Sequence, residues 1–476
     1  MKKLEKLYKI LFVGLPVALY FSYFPVISLG SDVTMNFELS VALIWLVVTV
    51  ACGVVVLVGR GELWVAVQKW ARRKWLWLLF PVWATLSVVW SLNMVRGVLT
   101  VGVMWLIVLA VVEIIELREI VASEWVRRWF PRVFVGATLV VCAWCVAQCV
   151  MDVMGVPREY TLLCPGCVSQ MFGFPHPNGF AIEPQFMGNL LIAPAITLLY
   201  LTGPAGCCPP PKMTHAFLGV PLHTRHPLGI KIIIFCVISA LFLTFSRGAI
   251  YAFVAGVVVM SVVGVLKKVG WKRLVLIWGM VFAAFVVTLN AQGLMAELGP
   301  TDDTYFTGIT KALNHLSLGT IDVHAAPAAF DGYVEESTDV RVGLTRAALA
   351  VWMRDFKTFS VGVGIGGAGE ALYQYGFNDS PKEIVQNEYA SVLVETGVVG
   401  AILALVMVVL GVRFLVQKRM WVIICLVVAY GVSLFFFSGV ANALQVYLMP
   451  AVLAIIGLSL RKSSKDKIQN IFYLSW

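Results

Sequence analysis

The sequence predicts an all-α, polytopic membrane protein with about 12 transmembrane helices and one large extracytoplasmic loop. Three observations carry that prediction. Only 13% of the 476 residues are charged and 60% are hydrophobic, whereas a soluble protein keeps about a quarter of its residues charged. Apolar runs close to the ~20 residues that cross a bilayer recur along the chain, and in lipid such runs satisfy their backbone as helices. One long stretch, 291–388, interrupts this rhythm with polar and charged residues. The chain therefore divides into 1–290 with helices one to nine, the loop domain 291–388, and 389–476 with helices ten to twelve and a cytoplasmic tail.

In chain order, spans are expected at 9–27, 40–58, 75–91, 96–115, 132–152, 178–201, 230–245, 247–266, 273–290, 389–412, 420–437 and 441–460. Met1-Lys2-Lys3 leads into the first span without a small-residue cleavage site, so no cleaved signal is expected. Lysine and arginine set the orientation. With the N-terminus in the cytoplasm, 27 of the 36 basic residues fall on the cytoplasmic side and 9 outside. The clusters Arg72-Arg73-Lys74, Arg127-Arg128, Lys267-Lys268, Lys418-Arg419 and Arg461-Lys462 all fall inside. Both termini are then cytoplasmic, and the net charge of +10 faces the anionic inner leaflet rather than a nucleic acid. Cys142, Cys145 and Cys149 share helical spacing and read as packing. Cys164 and Cys167 form a lone C-x-x-C, a poor zinc site; disulfide and free thiols both stay open. The tract Cys207-Cys208-Pro209-Pro210-Pro211 reads as a cytoplasmic connector.

Five motifs stand out on the outer side. Phe245-Ser246-Arg247-Gly248 splits an apolar stretch long enough for two spans, so it must be a tight outer turn, eased by Gly248. Arg247 is either a snorkelling arginine at a helix end or a fixed cation for a lipid phosphate. Ser337, Thr338 or Asp339 is placed to cap a helix that continues to Phe359. At ~100° per residue, Arg341 falls on the side of Leu344, Ala348, Trp352 and Phe356, opposite Arg346, Arg354 and Lys357. A buried Arg341 needs an anion, which is either a carboxylate such as Glu183 or Glu395 or a substrate phosphate. Gly362-Val363-Gly364-Ile365-Gly366-Gly367 superficially resembles a phosphate loop, but no Lys-Ser/Thr pair follows. It reads as a tight backbone turn beneath the site. Gln386-Asn387-Glu388-Tyr389, with Glu395 further on, opens the tenth span, and a carboxylate inside a membrane is paired or functional. His176-Pro177-Asn178, followed by Glu183-Pro184, opens the sixth span, and a helix-starting Pro and Asn explain half of it.

As a set, the S-R-G turn, the inward loop arginine, G-V-G-x-G and Gln386-Asn387-x-Tyr389 with Leu393, Glu395 and Gly397 resemble the O-antigen ligase/polymerase family of the bacterial envelope. The resemblance covers roughly 170–400. It implies a periplasmic loop over a cavity that receives a polyprenyl-diphosphate-linked glycan. The enzyme passes that glycan to an acceptor hydroxyl on a lipid, another glycan or a protein, with inversion, and needs no metal or other cofactor. By position, Arg247 and Arg341 are expected to hold the diphosphate. The family's histidine falls on Gln386, which has no basic atom to take a proton; Glu183 and His176 are the alternative bases, and Gln386 then orients the acceptor. Ser246, Asn387, Tyr389, Glu395 and His176 are the expected substrate-binding residues. Glu183-Pro184 also resembles an element of polymerase-type relatives, so ligase and polymerase both stay open. The outer histidines His176, His315 and His324 are scattered singly and outline no metal site. Two other classes compete with this reading: a carrier of a small anion, against which stands the lack of an inverted repeat, and a structural partner in a cell-wall complex.

Overall fold

The computed structural model describes residues 1–22, 26–29, 37–163, 175–202, 227–299, 303–317, 328–439 and 444–462. Cys164, Cys167, the Pro209–Pro211 tract and His324 lie outside them. The fold is predominantly helical, and helical structure lies within each of the expected spans without filling all of them. Among the described residues, six helices are long and apolar enough to cross a membrane: Val41–Gly59, Met94–Glu116, Glu124–Val153, Arg247–Leu266, Trp271–Leu298 and Glu388–Gln417. Shorter apolar helical stretches are Trp75–Trp90, Leu228–Leu243, Trp421–Ser433 and Leu444–Gly457.

The structure corrects three boundaries and adds two elements. The first helix, Lys2–Tyr20, stops short of residue 27. Val26–Leu29 instead pairs antiparallel with Phe37–Ser40, Val26 opposite Ser40, so the fold is not purely helical. Ser40 ends that hairpin and caps the next helix, its hydroxyl accepting from the Leu43 amide at 3.2 Å. A separate helix, Leu63–Arg73, intervenes before the third expected span. The ninth helix runs past 290 to Leu298, and the loop domain holds helices Tyr305–Leu316, Ala328–Trp352, Phe356–Val361 and Ala368–Gln374. The helix of Arg341 starts at Ala328, so positions 337–339 lie inside it and not at its cap.

The core that carries the site is built around Arg247–Leu266. It packs on Trp421–Ser433 closely enough that a Cβ on Gly256 would meet Ala429 Cβ at 3.1 Å and the Cys425 carbonyl oxygen at 3.2 Å. Polar groups fix the neighbouring Pro184–Thr202 helix: Ser433 donates to Asn189 Oδ1 at 2.6 Å and Tyr430 to the Asn189 carbonyl at 3.3 Å. In a membrane helix bundle, small residues and such buried hydrogen bonds set the approach of neighbours, because lipid is as apolar as leucine. A second, smaller core joins the loop domain to the tenth expected span. There Leu344, Ala347, Ala348 and Val351 meet Val363, Ala371, Leu372, Val385, Ala390 and Val394.

Candidate functional site at the S-R-G turn

Phe245 adopts φ 48°, a left-handed conformation that costs a bulky residue strain and survives only where its surroundings enforce it. The turn is therefore tightened at Phe245. Gly248 plays another part than the expected one: its φ is not left-handed, but a Cβ there would lie 2.7 Å from Phe436 Cβ. Ser246 caps the helix that follows, accepting from the Ala249 amide at 3.4 Å. Arg247, the first helical residue, is only 7% exposed. A guanidinium does not lose its charge on burial, so anions and hydrogen-bond acceptors must gather around it.

The end of the Tyr305–Leu316 helix grips this turn twice. His315 Nε2 lies 3.1 Å from the Phe245 carbonyl oxygen, and the Tyr251 hydroxyl donates to the Leu316 carbonyl one helical turn after Arg247. His176 stacks on Phe245 with ring centroids 5.6 Å apart and lies 5.9 Å from the His315 ring. Burial holds the His176 imidazole down at about 3, so it is neutral at ordinary pH. Being 8% exposed, it packs beneath the turn. The His315 imidazole is held well below its usual value, first by burial and then by electrostatic coupling to the His176 ring and to the Arg247 and Arg341 charges, against a raising contact with the Phe245 carbonyl. Arg247 and Arg341, from distant parts of the chain, thus both lie within electrostatic reach of His315.

Arg341 is half-buried and Arg346 exposed, as the helical spacing requires. Leu344 and Ala348 are buried on the expected face, but Phe356 is not on it. The helix ends at Trp352, and Phe356 opens a new one capped by Asp355, whose carboxylate accepts from the Thr358 amide at 2.8 Å. That contact holds the Asp355 carboxyl below its ordinary value. Glu183 is an anion near enough to Arg341 for the two charges to interact. Its side chain is reached by solvent, yet dense protein around it raises its pKa by desolvation, against a lowering by Arg341. An accessible carboxyl in a desolvating recess beside a fixed cation has the character of a proton acceptor.

The glycine stretch is a clamp. Glycines 362, 364 and 366 all have positive φ. The amides of Val363 and Gly364 donate to the carbonyls of Val394 and Glu395 at 2.9 Å each. Those carbonyls lie just before Gly397, whose non-helical φ of 66° kinks the Glu388–Gln417 helix and removes their i→i+4 donors. On the other side, Ser91 donates to the Ile365 carbonyl at 2.8 Å and the Ser87 hydroxyl accepts from the Ile365 amide at 3.2 Å. The Glu395 carboxylate takes the Gly366 and Ala368 amides. With these amides engaged in the fold, the stretch is a backbone turn and not a phosphate cradle.

The remaining expected residues hold the start of the Glu388–Gln417 helix. Asn387 caps it through the Tyr389 and Ala390 amides at 3.1 and 3.2 Å. Tyr389 donates to the Gly431 carbonyl at 2.7 Å and its ring lies 4.5 Å from that of Phe435. Glu388 accepts from Tyr447 and from the Gly439 amide at 3.0 Å each. The half-buried Gln386 follows Val385, whose carbonyl accepts from Ser438. The same 434–439 turn sends the Phe436 carbonyl to Gln185 Nε2 at 2.9 Å and places the Phe436 ring 5.9 Å from that of Tyr251. The Gln386 segment and the arginine turn are therefore tied through one connection.

Residues 232–405 match the family model of the O-antigen ligases. No curated protein matches the chain. The O-antigen ligase match spans the S-R-G turn, the Arg341 helix, the glycine clamp and the Gln386–Gly397 segment. His176 and Glu183 precede it; of the two carboxylates expected as partners of Arg341 the structure brings Glu183 near it, and it stacks His176 on Phe245. His315 was not among the expected site residues. As a single histidine in a polar loop it has no local pattern, and only the packing of its helix on Trp271–Leu298 brings it to Phe245. There Gly308 abuts Gly293, and Tyr305 bonds Asn290.

Proposed function

We propose that this protein transfers a glycan from a polyprenyl-diphosphate carrier to an acceptor hydroxyl at the outer face of the cytoplasmic membrane, as a ligase or polymerase of the bacterial envelope. The observation that carries the reading is the buried Arg247 in a turn gripped by His315 at the Phe245 carbonyl, with Arg341 and Glu183 within electrostatic reach, inside a chain that matches the O-antigen ligases over 232–405. The acceptor oxygen attacks the anomeric carbon from the face opposite the carrier. The bond from that carbon to the diphosphate oxygen breaks, and the configuration inverts. Negative charge grows on the departing diphosphate, and two fixed guanidiniums stabilise it without reorganising. Glu183 takes the acceptor proton; Gln386, lacking a basic atom, orients the acceptor. Ser246, Asn387, Tyr389 and Glu395 hold the backbone that frames the site, and His176 supports the turn from below.

Both termini face the cytoplasm in this proposal and 299–387 faces outward. A labelled lipid-linked glycan supplied to vesicles tests it. Wild-type protein should label an acceptor, and Arg247→Ala and Arg341→Ala should each lose transfer by roughly 10²–10³-fold, the cost of removing one donor to a developing anion. Flux of a labelled small anion without any glycan transfer would replace this reading with that of a carrier.

A further inference from the structure

The turn after the Arg341 helix exposes an unusual amount of aromatic surface. Phe356 is 84% exposed and Phe359 41%. Trp352 stacks on Phe359 with centroids 5.0 Å apart and donates to its carbonyl at 3.0 Å. The exposed Arg354 lies 3.9 Å over the Tyr375 ring, and Lys357 is also exposed. The Phe356–Val361 helix is wedged against the Glu388–Gln417 helix at a definite height: a Cβ on Gly397 would collide with the Ser360 carbonyl, and one on Gly362 with the Glu395 carbonyl. From Gly397 that helix continues to Gln417, which at ~1.5 Å per residue is about 30 Å, the hydrocarbon thickness of a bilayer. Beyond Gly397 it exposes Val399, Ile402, Leu405, Val408 and Val409, and it ends at Lys418-Arg419, the pattern of a lipid-facing span with a basic inner end. Gly397 then marks the outer edge of the hydrocarbon, about two turns after the expected start at 389, so Glu395 lies just outside that edge and not within it, and Ser360 lies at the level of Gly397. The indoles of Trp83 and Trp90, donating to the Thr396 carbonyl at 3.0 Å and the Val361 carbonyl at 3.4 Å, lie at that height too, where membrane proteins concentrate tryptophan.

We propose that the Phe356–Val361 helix is a membrane anchor of the loop domain. Phe356 and Phe359 enter the bilayer at the boundary of headgroups and acyl chains, flanked by Arg354 and Lys357, which suit anionic lipid phosphates. The anchor sits at the end of the helix that carries Arg341, so it holds that arginine at a constant height above the hydrocarbon. It does not depend on the transfer reaction.

The test uses the full-length protein with p-benzoylphenylalanine, close in shape to phenylalanine, in place of Phe356 or Phe359. The protein is reconstituted in phosphatidylcholine–phosphatidylglycerol vesicles whose lipids carry an alkyne on one acyl chain. The same residue in place of Leu405 reports insertion in each preparation, and in place of Asp379 it reports an exposed polar turn. Irradiation should give lipid adducts at 356 and 359 comparable to those at 405 and several-fold above those at 379. Yields at 356 and 359 no higher than at 379, with 405 labelled normally, would overturn the anchor. So would adducts at 356 to added soluble oligosaccharide in preference to lipid, because the aromatic surface would then be a glycan platform.

Discussion

Glu183 and Arg341 set each other's chemistry. Desolvation raises the Glu183 pKa and Arg341 opposes it. A base must be deprotonated, so the acid limb of transfer should be displaced upward from that of an ordinary glutamate and move to still higher pH in Arg341→Gln. A pH profile of single-turnover transfer reads both. Because burial penalises the charged form, Glu183 costs stability as pH rises from its unfolded toward its folded pKa. Glu183→Gln removes that cost, and should melt no earlier than wild type at neutral pH while losing roughly 10²–10⁴-fold in turnover. Normal turnover in this variant would exclude Glu183 as the base. Arg346, exposed on the opposite face, is expected to tolerate alanine within about threefold, whereas Arg341→Ala loses most transfer; equal losses would mean that facing does not decide their roles. Gln386→His tests the departure from the family: if the position still faces the acceptor, it should restore part of the transfer lost in Glu183→Gln.

At the scale of elements, the glycine clamp joins the kink of the Glu388–Gln417 helix to the turn at Ser91. Gly364 has φ 89°, and a Cβ on it would collide with Ser91 Cα. Gly364→Ala is therefore strained in backbone and in packing, and should cost at least about 2 kcal/mol. A thermal melt in detergent checks this, and Gly376→Ala separates the two causes. Gly376 has φ 72°, and a Cβ added there would meet nothing within 4 Å, so it should lose only the backbone share, near ~1 kcal/mol. Equal losses would assign the whole effect to φ. The clamp was legible as a tight turn from its glycines. Its partners were not, because carbonyls freed by a kink at Gly397 leave no mark in the apolar pattern around them.

For the whole molecule, the distribution of basic residues makes a prediction about sidedness. In a thiol-free background, a cysteine replacing Arg346 should react with an impermeant maleimide from outside, and one replacing Arg73 only after permeabilisation. The reverse result would invert the topology. Both side chains are exposed, whereas Lys311 is unsuited because it is buried and paired with Asp303 at 2.7 Å.

The sequence by itself determined the helical membrane class, the approximate position of each apolar helix, the facing of Arg341 against Arg346, and the motifs that match the O-antigen ligases. These follow from local composition and from periodicities of a few residues, which survive in one dimension. The tertiary structure alone decided that His315 meets Phe245, that Glu183 answers Arg341, that Glu395 serves the glycine clamp and that the first span ends in a hairpin. Each of these depends on where separate helices stop and how closely their small residues let them approach. That is a balance of packing and hydrogen bonding between distant segments, and no short stretch of sequence contains it.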